Sequence, residues 1–126
     1  MKLRQLEIRL QKIQGFPAPS PELEQYMTPA PLAARLLFHA AMNGDVADCR
    51  VCDLGCGTGM LSVGAALLGA EVTSVDCDPA ALAAAQQNAE AFGVDITFCE
   101  RFIDGSGFAQ TFDTVLMNPP FGAQKE

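Results

Sequence analysis

The sequence predicts an α/β protein, a Rossmann-like three-layer sandwich of about four parallel strands preceded by N-terminal helices. Two observations predict it. Short apolar strands alternate with helical segments through residues 45–126, and the connections between them are short. Strand–helix–strand units of this kind require parallel strands joined by right-handed crossovers. The distinctive polar and glycine-rich motifs also fall directly after strands, where the sheets of such proteins bind ligands.

The N-terminal segment, residues 1–44, is predicted to contain two helices. Near its start, four apolar residues recur at the spacing of one helical face: Leu3, Leu6, Leu10 and Ile13. A Pro-rich elbow over residues 15–21 separates this helix from the next. Thr28 is interpreted as the N-cap of the second helix, with Pro29 at its first position and Gly44 at its end.

Beyond Gly44 the pattern changes to alternating strands and helices. The predicted strands are, in order, CRVCDL, EVTSVD, VDITFC and FDTVLM. The predicted helices are MLSVGAALL and PAALAAAQQNAEAF, which are closed by Gly69 and Gly93. Asp78 is expected to cap the second of them, because Pro79 follows it directly.

The composition indicates one globular domain, and the charge restricts how it can meet nucleic acid. A net charge of −7 argues against binding by bulk electrostatics alone. Half of the eight basic residues nevertheless lie in the first twelve positions: Lys2, Arg4, Arg9 and Lys12. They form either a solvated face of a docking helix or a local edge that contacts phosphates. The spread of charges near the N-terminus and the lack of a long apolar run predict a cytoplasmic protein without a membrane span.

The five cysteines are expected to be reduced thiols rather than metal ligands. Cys49 and Cys52 have the two-residue spacing of a zinc knuckle. A second ligand pair does not follow at the required distance, and the single histidine, His39, lies inside an apolar helical pattern. Cys52 and Cys56 are better explained as small residues in a buried strand and a tight loop.

A glycine-rich turn, DLGCGTG over residues 53–59, follows the first predicted strand. Its glycines permit a tight bend and let a ligand lie against the backbone. A dinucleotide site would need G-x-G-x-x-G, but Met60 fills the position of the last glycine. Asp53 is placed to accept hydrogen bonds at the turn or from the ammonium group of an amino-acid-like ligand. The sequence DLGCGTG resembles the first motif of class I methyltransferases, which bind S-adenosylmethionine.

Acidic residues follow the next two strands. Asp76 ends the second strand, 21 residues after Gly55, where a carboxylate can accept hydrogen bonds from both hydroxyls of a ribose. The alternative is that Asp76 only caps the next helix, but Asp78 suits that position better. Glu100 stands just past the third strand, where its side chain could reach the amino group of an adenine.

The motif Asn118-Pro119-Pro120-Phe121 follows the fourth strand. It matches the N/D-P-P-Y/F motif of methyltransferases that act on a planar nitrogen, although Asn-Pro also begins ordinary turns. The amino nitrogen of adenine is a poor nucleophile, because its lone pair is delocalised into the ring. The Asn118 side-chain oxygen and the Pro119 carbonyl could hold its hydrogens and localise that pair. Pro120 keeps the loop rigid, and Phe121 offers a face on which an extruded base can stack.

Three stretches carry a resemblance that spans nearly the whole chain: LEQYMTPAPLAARLLFHAAMNGD, DLGCGTGMLSVGAALLGA and FDTVLMNPPFGAQ. They are similar to the archaeal and eukaryotic adenine-N6 ribosomal RNA methyltransferases, the group of methyltransferase-like protein five. The resemblance implies that residues 1–44 fold over S-adenosylmethionine and that residues 45–126 form the core that binds it. It also implies an RNA substrate, in these enzymes an adenosine of the small ribosomal subunit. A small zinc-binding activator would pair with the edge of the third strand.

The resemblance and the motifs together give one set of site residues. The residues expected at the methyl-donor site are Gln25, Thr28, Asp53, Gly55, Cys56, Gly57, Thr58, Gly59, Met60, Asp76, Cys77, Glu100 and Arg101. The residues expected to hold the target base are Asn118, Pro119, Pro120 and Phe121.

Two departures from the family's pattern leave alternatives open. Met27 replaces the proline usual before Thr28, and the family continues for further strands and helices where this chain stops at Glu126. A fragment, a shortened gene and an assembly completed by another chain all remain open, and a dimer or partner-stabilised species is expected. One alternative function is a non-catalytic donor-binding or assembly module. Another is a methyltransferase for guanine N2, DNA adenine or a glutamine amide.

Overall fold

A computed structural model describes residues 1–15, 28–101 and 111–117 of the chain. Its helices are α1 (Leu3–Leu10), α2 (Ala30–Met42), α3 (Met60–Leu67) and α4 (Pro79–Phe92). Its strands are β1 (Arg50–Leu54), β2 (Glu71–Asp76), β3 (Ile96–Glu100) and β4 (Thr114–Met117). The predicted α/β architecture of parallel strands and N-terminal helices is confirmed. Gln25 and the motif Asn118-Pro119-Pro120-Phe121 lie outside the described residues.

The four described strands form one parallel sheet in the order β3-β2-β1-β4. The register brings their carboxyl ends to one edge, because Leu54 lies opposite both Val75 and Met117. Asp76 lies opposite Glu100 at the same edge. Residues that follow β1, β2 and β3 therefore emerge side by side, as the sequence pattern predicts.

The N-terminal helices share a hydrophobic core with the sheet. Leu6 and Leu10 of α1, Leu37 of α2 and Val51 of β1 are all fully buried in one cluster. Gly64 of α3 allows the closest approach between these helices, since a Cβ there would overlap the Leu37 Cδ1 atom. The side chains of α1 and α2 thus pack directly against α3, the helix that follows the glycine-rich turn.

Local signals fixed most helix ends to within a residue or two. Asp78 caps α4 as predicted, because its side chain accepts a 3.0 Å hydrogen bond from the Ala80 N–H. The prediction for α2 was wrong by one residue, since Pro29 occupies the N-cap position and the helix begins at Ala30. The third strand also continues through Glu100 instead of stopping before it.

Two further properties of the described residues bear on function. The helices found there are too short or too polar to cross a membrane. Within the same ranges, His, Cys, Asp and Glu side chains nowhere gather in threes as they would around a metal ion.

Candidate active site

The glycine-rich turn after β1 depends on three residues with positive φ. Gly55, Gly57 and Gly59 have φ values of 72°, 56° and 90°, in the left-handed region that side chains disfavour. Gly59 is also the N-cap of α3, and its N–H donates a 2.9 Å hydrogen bond to the Cys56 carbonyl. The turn is therefore tightly closed and leads directly into the first turn of a helix.

The end of β2 holds the glycine-rich turn in place. The Val75 carbonyl accepts hydrogen bonds from the backbone N–H groups of Gly55, at 2.8 Å, and Cys56, at 3.0 Å. The Asp76 Oδ2 atom accepts a third from the Gly57 N–H at 3.0 Å. The path of the turn is thus set by two consecutive residues of the neighbouring strand.

Asp76 lies where the glycine-rich turn meets the loop into α4. While Oδ2 bonds Gly57, its Oδ1 accepts a 3.0 Å hydrogen bond from the Asp78 N–H. Each carboxylate oxygen has a second acceptor position, so Asp76 can still accept hydrogen bonds from a ligand. Its side chain is half-buried, and Asp78 rather than Asp76 caps the helix, as the sequence predicts.

Three further predicted residues lie around Asp76. Glu100 is exposed at the end of β3, directly opposite Asp76 in the strand pairing. The Arg101 N–H donates a 2.9 Å hydrogen bond to the Asp76 carbonyl, which holds the chain that leaves β3 against β2. Cys77 is exposed immediately after Asp76. A carboxylate and a guanidinium thus follow one another beside the end of β2.

Asp53 differs from the other acidic residues because it is buried behind the turn. Only 1% of its surface is exposed, and its Oδ2 accepts a 2.6 Å hydrogen bond from the Ser62 hydroxyl of α3. Because that hydroxyl gives its one proton to ionised Asp53, Ser74 of β2 donates to the Ser62 oxygen in turn. The carboxylate of Asp53 therefore braces β1, β2 and α3 from inside.

Burial has a large effect on the pKa of Asp53. Loss of solvent raises the pKa of its carboxyl from 3.8 to about 6, the hydrogen bond from Ser62 opposes the rise, and the nearby Asp76 charge adds to it. Burial likewise raises the pKa of the Cys56 thiol, and the charges of Asp53 and Asp76 raise it further. Cys56 is consequently a neutral thiol, a small packing residue rather than a nucleophile.

The remaining residues predicted at the site lie in and around the same turn. Thr58 and Met60 are both buried, at 3% exposure each, where the turn packs on α4 and enters α3. Thr28 is half-buried and directly precedes Pro29, the N-cap of α2. The structure thus brings together the predicted residues of the turn, of the end of β2 and of the end of β3.

Comparison with known proteins supplies the family. The model of the methyltransferase small domain matches residues 32–126. The chain belongs to the methyltransferase small-domain family. The prediction of a methyltransferase from the glycine-rich motif is confirmed, because that motif lies within the matched methyltransferase domain.

Two relatives that match nearly the whole of this chain are named as RNA methyltransferases. The zebrafish rRNA N(6)-adenosine-methyltransferase METTL5 is 42% identical over 98% of this chain and 62% of its own length. A crystal structure of a candidate RNA methyltransferase from Pyrococcus horikoshii has a TM-score of 0.85 and 42% identity, over 97% of this chain and 59% of that one. The chain thus spans about three fifths of the length of each of these two relatives.

A second solved structure of a similar protein contains bound ligands. The Thermus thermophilus 16S rRNA N2 G1207 methyltransferase was solved in complex with AdoMet and guanosine. It has a TM-score of 0.61 and 31% identity, over 72% of this chain and 26% of its own.

The structure adds three polar residues that the sequence reasoning missed, namely Ser62, Ser74 and Asn88. All three are at most 2% exposed and lie among apolar side chains. A polar residue within a buried helical face is the one sequence signal that could have found them, because burial requires it to have a partner. Their partners are distant in sequence, so only the fold identifies them.

Proposed function

We propose that this chain binds S-adenosylmethionine and belongs to an enzyme that methylates the N6 amine of an adenosine in RNA. Small-subunit ribosomal RNA is the proposed substrate. The observation that carries the proposal is the hydrogen bond from the Gly57 N–H to Asp76, which joins the glycine-rich turn to the carboxylate beside it. This bond holds a narrow bend beside a carboxylate that is proposed to accept hydrogen bonds from ribose hydroxyls.

The residues present fit such a donor. A Cβ on Gly55 would meet no atom of the described residues within 4 Å, so among those residues open space adjoins the turn on that side. Asp76 has acceptor capacity left for ribose hydroxyls, and exposed Glu100 could accept from an adenine amino group. When bound, S-adenosylmethionine supplies a methyl group already activated on a sulfonium, so the protein needs no strong general base. Asp53, being buried, supports the turn from behind.

The segment that follows β4 is proposed to bind the nucleobase that accepts the methyl group. Met117 ends that strand opposite Leu54 of β1. In the sequence, Asn118 follows Met117 and Gly55 follows Leu54. The proposed role of Asn118 and the Pro119 carbonyl is to hold the amine hydrogens of the base. That localises the nitrogen lone pair and aims it at the donor. Phe121 is proposed to stack on the base.

Donor binding and methyl transfer should be tested separately. Isothermal titration of S-adenosylmethionine into the purified chain should give saturable binding that Asp76→Ala weakens at least about tenfold, equivalent to about 1.4 kcal/mol. Asp95→Ala is the matched control, because Asp95 is an exposed aspartate on the loop before β3. Absence of binding by the natural chain would refute the proposal.

Transfer is followed with radioactive donor on small-subunit RNA. The natural chain should label RNA at N6 of adenosine, and Asn118→Ala should lower the rate by about a hundredfold or more while donor affinity stays unchanged. Binding without labelling would favour a non-catalytic donor-binding module. Labelling of guanine N2 instead would favour the chemistry named for the Thermus relative.

The proposal includes partners. Among the described strands, β3 pairs only with β2, so one side of β3 has no strand beside it there. A small zinc-binding activator that adds a strand to β3, or a second copy of the chain, is the proposed occupant. The N-terminal segment of residues 1–44 is proposed to close over the donor. The cytoplasm is the location that goes with a ribosomal RNA substrate.

A further inference from the structure

Asn88 is the polar member of an otherwise apolar buried face. The buried residues of α4 are Ala81, Leu82, Ala85, Asn88 and Ala89, and Asn88 is 2% exposed. Alanine would suit the helix and its apolar surroundings better. A buried amide costs free energy unless its hydrogen-bonding groups are paired, so its partners indicate what it contributes.

The Asn88 amide joins two segments that are far apart in the sequence. Its Nδ2 donates to the Thr58 carbonyl at 2.9 Å and to the Gln14 carbonyl at 3.1 Å. Its Oδ1 accepts a 3.0 Å hydrogen bond from the Gln14 N–H. The orientation of the amide follows from these partners, because the reverse would press an oxygen against two carbonyls. One side chain therefore holds both the glycine-rich turn and the residues that follow α1.

A second contact places α4 against the same turn. Ala85 lies one helical turn before Asn88, and a Cβ on Gly59 would come within 3.2 Å of the Ala85 Cβ. Ala85 sets how closely the turn can approach α4, and Asn88 adds a directional bond to the adjoining residue, Thr58. Ala85 and Asn88, on one face of α4, thus hold the backbone of Thr58 and Gly59 in position.

The geometry points to Asn88 as a positioning residue of the methyl-donor site. It ties the Thr58 carbonyl to the Gln14 backbone, so the glycine-rich turn and the residues that follow α1 are held in a fixed relation. Donor affinity then depends on how the end of α1 is held as well as on the turn itself. Asn88 is buried and acts through Thr58. This inference rests on the proposed function, because it requires that the donor binds at the turn.

Hydrogen exchange of the natural chain, with and without S-adenosylmethionine, tests the connection directly. Donor should slow exchange in the turn and also at the Gln14 amide, whose N–H bonds Asn88. Protection confined to the turn would overturn the inference. This measurement needs no variant, so it decides the matter even if substitutions at position 88 prevent folding.

A pair of variants then isolates the amide. Asn88→Asp replaces both donated hydrogen bonds with oxygen–oxygen contacts, and Gln87→Glu makes the same chemical change at an exposed neighbour. Asn88→Asp should weaken donor binding about tenfold and abolish the donor-dependent protection at Gln14, whereas Gln87→Glu should change neither. Equal affinity and equal protection in the two variants would overturn the inference. A natural chain that binds no donor would overturn the proposed function, and this inference with it.

Discussion

The Ser62 hydroxyl donates a 2.6 Å hydrogen bond to the Asp53 carboxylate, and both side chains are at most 1% exposed. The bond crosses from the first turn of α3 to the end of β1, directly behind the glycine-rich turn. It offsets only part of the cost of burying a negative charge, because the pKa of Asp53 remains raised to about 6.

Replacement of Asp53 by Asn should change how stability depends on pH. Because the folded-state pKa of Asp53 lies above its ordinary value of 3.8, the folded protein holds this proton more tightly than the unfolded chain. Its contribution to the free energy of unfolding therefore falls as pH rises from about 4 to about 6, by about 3 kcal/mol in all. Urea unfolding across this range should show Asp53→Asn gaining stability relative to the natural chain as pH rises. If the free energies of unfolding of the two proteins depended on pH in the same way, the raised pKa of Asp53 would be contradicted.

Gly59→Ala should destabilise the fold more than an ordinary substitution of a positive-φ glycine. Alanine at φ 90° is strained, and its Cβ would also come within 3.2 Å of the Ala85 Cβ. Together these effects should lower the free energy of unfolding by about 2–4 kcal/mol. Gly93→Ala is the matched control, since the φ of Gly93 is 68° and a Cβ there would meet nothing within 4 Å in the part of the chain that the structure describes. That variant should lose only about 1–2 kcal/mol in the same urea titration. Equal losses in the two variants would remove the Ala85 contact from the explanation.

Gly55→Ala should separate donor binding from stability. Its φ of 72° is close to the 68° of Gly93, and a Cβ at either position would meet no atom of the described residues within 4 Å, so the two alanine variants should unfold at similar urea concentrations. The added methyl group at position 55 would enter the open space beside the turn, whereas the one at position 93 lies past the end of α4. Calorimetric titration with S-adenosylmethionine should therefore show a loss of at least about tenfold in affinity for Gly55→Ala alone. Unchanged affinity would mean that the donor does not lie against Gly55.

The basic side of α1 is expected to contribute to RNA affinity. Lys2, Arg9 and Lys12 are exposed, and Arg9 lines an open groove with Met1 and Ile8. Changing all three basic residues to Gln should weaken RNA binding and reduce the slope of log affinity against log salt by about 2. Fluorescence anisotropy at several salt concentrations would measure both effects.

A single pair of variants provides the control for charge alone. Arg9→Gln and Arg50→Gln each remove one exposed positive charge, but Arg50 begins β1, at the edge of the sheet opposite the glycine-rich turn. Only Arg9→Gln should weaken RNA binding. Equal effects would indicate that net charge matters and that α1 forms only a solvated face.

The parts of the fold that the sequence predicts well are those set by neighbouring residues. Asp78 beside Pro79 predicts a helix start, and the glycines near residues 55–59 predict a tight turn, because each signal acts over a few residues. The error at Thr28 has the same origin. A side chain suited to capping was preferred, whereas Pro29 occupies the cap without a side-chain hydrogen bond.

The candidate site was predicted less completely, because burial depends on packing between distant segments. Asp53 was expected to accept hydrogen bonds at the turn or from the ammonium group of a ligand, but the pattern did not predict its burial, its bond from Ser62 or the contact of Ser62 with Ser74. Asn88 lies in the polar stretch QQNAE of a predicted helix, and its partners Thr58 and Gln14 precede it by 30 and 74 residues. Local pattern gives no information about such pairings.

The contact of Gly64 with Leu37 has a consequence for how related sequences can diverge. Gly64 of α3 has no side chain, and the Leu37 side chain of α2 fills the space that a Cβ there would occupy. A larger residue at position 64 therefore requires a smaller one at position 37. A homologue with alanine or serine at position 64 should carry a shorter residue at position 37. Compensating exchanges at these two sites should therefore be detectable across the family as correlated substitutions.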